Sequence, residues 1–235
     1  MTADRLPARL ARSFRRSAGD VVFGMEDGTV SIFGLVFGVA ATTDQSSVVL
    51  IAGATGAAAA AVSMMAGTFL DVETTRDTTR ARRATLEADL RTRPKAVAAD
   101  VAARLQAGGV APDATERLLG QVRADPAALA GLALALDGEG AAEPAPSPLG
   151  HALWMFAADL LAASIPILPF VFLPVADARW VSLGITAVLL VLLGIGRARI
   201  GARALLRTVG ETVAIGAAAA LAGLAIGTAI DRSFG

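Results

Sequence analysis

The sequence has no cysteine and no tyrosine, one histidine (His151) and one lysine (Lys95). The missing thiols exclude disulfides, zinc–thiolate centres and cysteine nucleophiles together. A lone imidazole excludes a multi-histidine metal centre within the chain and leaves a Ser-His-Asp triad only one possible base. Neither sign of charge is in excess, because 21 Lys+Arg balance 21 Asp+Glu, and so no nucleic-acid partner and no acidic substrate is implied. With no nucleophile–base pair and no His-Glu-x-x-His helix, the chain is not expected to be an enzyme. Aromatics make up only 5% of the 235 residues, yet 54% are hydrophobic and mean hydropathy is +0.60. A soluble core interleaves apolar residues with charge, whereas here the two are segregated.

A bilayer core of about 30 Å is crossed by roughly 20 apolar helical residues. Five runs reach that length: residues 21–43, 47–70, 149–175, 179–196 and 208–230. The expected fold class is therefore all-α, a polytopic membrane protein with five transmembrane helices and a small cytoplasmic helical insertion between spans 2 and 3. The division is a basic amphipathic arm (1–20), transmembrane helices 1 and 2 (21–70), a helical module (71–147) and transmembrane helices 3 to 5 (148–235). Positive charge orients it. Five arginines lie in the arm, ten Lys+Arg in the module and four (Arg197, Arg199, Arg203, Arg207) between spans 4 and 5, with only Arg179 and Arg232 opposite. The rule that cytoplasmic segments carry the Lys and Arg places the N-terminus in the cytoplasm. Leu6, Leu10 and Phe14 among the arm's arginines read as an interfacial helix on anionic lipid.

In the module, residues 71–90 continue the second span without Gly or Pro. Pro94 opens a helix to about Gln106 that Gly108 and Gly109 stop, another begins at Pro112-Asp113, and a fourth covers 125–136. Residues 137–148 are a linker by composition.

Ionisable residues inside a bilayer cost several kcal/mol at the centre of a span, so each is a functional candidate. Four qualify. Glu26 and Asp27 are adjacent near the start of span 1, Asp159 lies within span 3, and Glu211 opens span 5 with Arg207 one turn earlier to pair with it. Successive helical residues point about 100° apart, so Glu26 and Asp27 cannot share a face. Asp159 has no basic residue within a turn; it must find a partner on another helix, reach water or be neutral. Ser63-Met64-Met65 in span 2 adds thioether sulfur, which together with carboxylate oxygen suits a borderline transition metal such as ferrous iron better than calcium or magnesium; methionine also fills gaps in helix packing. Glycines four apart (Gly24/Gly28, Gly34/Gly38, Gly223/Gly227) signal close helix packing. His151 is expected at the membrane interface, without a chemical role.

These residues resemble the vacuolar iron transporter family. The first-span pattern is Asp20, Gly24, Asp27-Gly28, Ser31, Gly34 and Gly38. Span 2 ends in Ser63-Met64, Gly67 and Phe69, followed by Arg76-Asp77, and span 3 carries Pro166 and Pro169. The resemblance covers nearly the whole chain. It implies a homodimer with the ion path between or beside the first spans, exporting ferrous iron or manganese from the cytosol in exchange for protons, with no permanently bound cofactor. By position, Asp27 is the family's pathway aspartate and Met64 its pathway methionine, with Ser63 beside it. Glu26 and Asp159 stand outside the family pattern and join the candidate metal set as replacement ligands. Where relatives with this insertion cluster glutamates, the module here offers Glu73, Asp77 and Glu87 among Arg80, Arg82 and Arg83. The alternatives are a divergent member that moves another cation or solute, and a non-transporting membrane scaffold. Arginine-heavy usage suggests a bacterial cytoplasmic membrane.

Overall fold

The computed structural model describes residues 18–136 and 147–234; most of the basic arm and the 137–146 part of the linker lie outside them. The described residues contain helices and no strand: α1 (Ala18–Ala40), α2 (Ser46–Thr92), α3 (Pro94–Ala107), α4 (Pro112–Val122), α5 (Pro126–Leu134), α6 (Pro148–Ile167), α7 (Pro169–Phe172), α8 (Val175–Ile200) and α9 (Leu205–Phe234). Five of them, α1, α2, α6, α8 and α9, are long and apolar enough to cross a membrane. The protein is an all-α polytopic membrane protein. Its described chain forms two compact units, residues 18–70 with 147–234 and residues 71–136.

The first unit is a helical bundle built around α1. Lipid tails are as apolar as leucine, so helices in a bilayer are held by close van der Waals contact rather than by the hydrophobic effect. Glycine provides that contact here. A Cβ at Gly34 would lie 2.8 Å from the Ala219 carbonyl oxygen, one at Gly38 would lie 2.5 Å from that of Gly223, and one at Gly223 would lie 2.0 Å from that of Gly34. The bare backbones of α1 and α9 therefore touch. On another side of α1, Gly24 meets Met155 and Gly28 meets Asp159, both on α6. Val49, Gly53, Ala57 and Ala61, four apart, form the buried stripe of α2, and Gly53 abuts Val36 and Ile167. Ile32, Val36, Val49, Ala163, Ile167 and Phe170 close the core.

The third span departs from the sequence reading. A single run over 149–175 was expected, but α6 stops at Ile167, α7 occupies only Pro169–Phe172, and Val175 already belongs to α8. The cause is proline. Pro166 and Pro169 have no N–H to continue the ladder, and Pro174 caps α8 from outside. Ser182 of α8, itself fully buried, donates its hydroxyl to the Pro166 oxygen at 2.8 Å and so ties α8 to the end of α6.

The second unit packs α3, α4 and α5 around Val97, Val101, Leu105, Leu119 and Leu129. Each of these helices opens on proline, and Asp125 caps α5 by accepting from the Ala127 N–H at 2.9 Å. Proline suits that position because the first N–H of a helix is unbonded in any case.

Candidate functional site

α1 presents two acids in succession to opposite environments. Asp27 is exposed, on a stripe with Phe23, Ser31 and Leu35, and the Ser31 hydroxyl donates to its backbone carbonyl at 2.7 Å. No arginine or lysine pairs with the Asp27 carboxylate among the described residues. Beyond Ser31 the stripe runs into a groove of about 670 Å³ between α1 and α9 that passes Gly34, Gly38 and Thr42 and ends at Asp231.

Glu26, one residue earlier, is only 7% exposed. Arg197 of α8 donates to its two oxygens at 3.0 and 3.4 Å, and the Thr212 hydroxyl of α9 donates to Oε1 at 3.2 Å. One carboxylate thus ties three spans. A snorkelling Glu26 would have needed water; burial against a guanidinium takes its place. As a result both Glu26 oxygens are engaged by protein donors, which leaves this candidate ligand differently placed from Asp27.

Asp159 of α6 is fully buried, and among the described residues neither of its oxygens has a hydrogen-bond partner. It lies against Gly28, where a Cβ would stand 2.6 Å from Asp159 Oδ1 and 2.6 Å from its backbone oxygen. The glycine after Asp27 is what gives this carboxylate its space, a role that motif spacing alone does not reveal.

The other candidates are placed more simply. On α2, Ser63 is exposed and Met64 and Met65 are half-buried. Glu73, Asp77 and Glu87 are all exposed, and Asp77 faces Arg80 at 3.6 Å. Among the described residues no three His, Cys, Asp or Glu side chains gather into a group able to hold a metal ion. Glu211 pairs with Arg207 at 2.9 Å and with Arg203 at 3.7 Å. The sequence reading gave His151 no role, but its Nε2 bonds the Asp20 carboxylate and joins the first turns of α1 and α6. Neither that pair nor the Arg197 and Thr212 bonds to Glu26 was visible in the sequence, since no local spacing encodes them.

With this geometry in place, the comparison with known proteins is decisive at the level of family: residues 18–228 match the VIT family. The chain belongs to that family. It is 29% identical to vacuolar iron transporter 1 of Arabidopsis thaliana over 215 residues, 91% of this chain and 86% of the relative. It is also 32% identical to the vacuolar iron transporter of Centaurea cyanus over 166 residues, 69% of this chain and 66% of the relative. Vacuolar iron transporter 2 of Oryza sativa subsp. japonica shares 27% over 214 residues, 90% and 87% of the two chains. As a VIT-family member the chain keeps the bundle as its matched core, with the helical module inside the matched range.

Proposed function

We propose that this protein carries a divalent transition-metal ion, ferrous iron or manganese, across a membrane and exports it from the cytosol in exchange for protons. The observation that carries the reading is Asp27, an acid inside a bilayer-spanning helix whose neighbour Glu26 is neutralised by Arg197 while Asp27 itself faces outward with no basic partner among the described residues. An uncompensated carboxylate at that depth is costly to keep unless a cation visits it. A dication stripped of water needs anionic oxygen to attract it and weaker, softer donors to let it go; Asp27 would supply the first, and Met64 with Ser63 the second. The names of the relatives, all iron transporters, support the choice of cargo.

In this reading two copies meet along the outer stripe of α1, so that the two Asp27 side chains border a common path. The N-terminus lies in the cytosol, the excess of arginine in the flanking segments being retained on that side, and the membrane is a bacterial cytoplasmic one. No side chain is assigned a catalytic step, and the only metal is the cargo. The exposed acids Glu73, Asp77 and Glu87 would then serve as a weak cytosolic attraction for cations.

A second reading, a family member that moves a different cation, is favoured by one observation: among the described residues, the module's acids do not come together in a three-residue metal group. Proteoliposomes of the full-length protein, loaded with a metal-sensitive dye, separate the two. Uptake of Fe²⁺ or Mn²⁺ that accelerates with an opposing pH gradient is the expected result. Uptake of monovalent ions only supports the second reading, and no flux of any ion leaves a scaffold.

A further inference from the structure

We infer that Asp159 is the second anionic ligand of the proposed ion site, so that Asp27 and Asp159 together balance the charge of one dication and select it over monovalent ions. This rests on the transport reading and adds to it a residue outside the family pattern.

Three observations carry it. Asp159 is fully buried, and both of its oxygens are without a hydrogen-bond partner among the described residues. The other buried acid of the bundle, Glu26, has three hydrogen bonds to its oxygens, so the fold can satisfy a buried carboxylate where stability requires it. Asp159 also occupies the space left open by Gly28, the residue that immediately follows Asp27. A buried carboxylate with no donor, packed against the residue next to a second acid, destabilises the apo bundle. Such an arrangement is explained by a ligand that compensates both. Two carboxylates carry two negative charges, which a divalent ion cancels and a monovalent ion does not. Oxygen donors of this kind accept Mn²⁺ and Fe²⁺ readily.

The test uses the full-length protein in detergent and in proteoliposomes, with Mn²⁺ as the probe. Binding is read from the free-Mn²⁺ paramagnetic resonance signal, and folding from thermal unfolding and size-exclusion profiles. Asp159→Asn is expected to weaken Mn²⁺ binding at least tenfold and to narrow the discrimination against Na⁺, with a melting temperature equal to or above that of the wild type. Mn²⁺ affinity within twofold of wild type overturns the inference and leaves the transport reading standing. A wild type that neither binds nor carries Mn²⁺ or Fe²⁺ overturns both. If Asp159→Asn does not fold, Asp159→Ser is judged by the same two readouts.

Discussion

Toward α9 and α8, the first span is both tightly packed and fully paired: Gly34 and Gly38 lie on bare backbone, and Glu26 is held by Arg197 and Thr212. Toward α6 it is equally tight, with Gly28 against Asp159, but the carboxylate there has no donor among the described residues. The same helix thus makes one contact that stabilises the bundle and one that burdens it. Close packing alone does not distinguish structure from function; the state of the polar groups inside the contact does.

Substitutions on the two sides should separate them, beginning with the largest effect. Gly223→Ala would place a Cβ 2.0 Å from the Gly34 carbonyl oxygen, and since backbone cannot swing aside the helices must part, at a cost of roughly 3 kcal/mol. Thermal unfolding in nanodiscs reads it. Gly184→Ala, with nothing within 4 Å, is the control and should lose no stability. Next, Glu26→Gln leaves Arg197 uncompensated; because that side chain is 37% exposed, water offsets part of the loss and about 2 kcal/mol is expected. The exchange Glu26→Arg with Arg197→Glu should recover part of it if charge pairing, not shape, is what matters. Asp159→Asn sharpens the contrast from the other side, since it breaks no hydrogen bond and removes a charge without a partner. Its melting temperature should stay level or rise, and a fall comparable to that of Glu26→Gln would erase the distinction between the two sides. The smallest effect belongs to Met64→Ala, which should slow metal uptake a few-fold or alter the Fe²⁺-to-Mn²⁺ ratio without unfolding the bundle; unchanged rate and ratio would make Met64 a packing residue.

Much of this fold could be read from single residues because membrane helices obey local rules. Proline marked the starts of α3, α4 and α5, where a missing N–H costs nothing, and five apolar runs corresponded to five long helices. Proline also divided the third span. The third span was read as one run over 149–175, yet α6 ends at Ile167, α7 covers only Pro169–Phe172 and α8 starts at Val175. At the candidate site, the costly positions were legible as acids in apolar runs, but their fates were not. Glu26 and Arg197 are 171 residues apart, and Asp20 and His151 are 131 apart, distances at which no periodicity informs. Asp159 was left to find a partner on another helix, reach water or be neutral; it lies against the glycine beside Asp27, a contact 131 residues away in sequence that no local pattern encodes.

The central claim is that the Asp27 carboxylate carries the cargo's charge through the bilayer. Fe²⁺ uptake into proteoliposomes holding equal amounts of folded wild-type and Asp27→Asn protein tests it most directly. The account predicts saturable uptake by the wild type and a rate for Asp27→Asn no greater than that of protein-free vesicles. Uptake by the variant at the wild-type rate would contradict it.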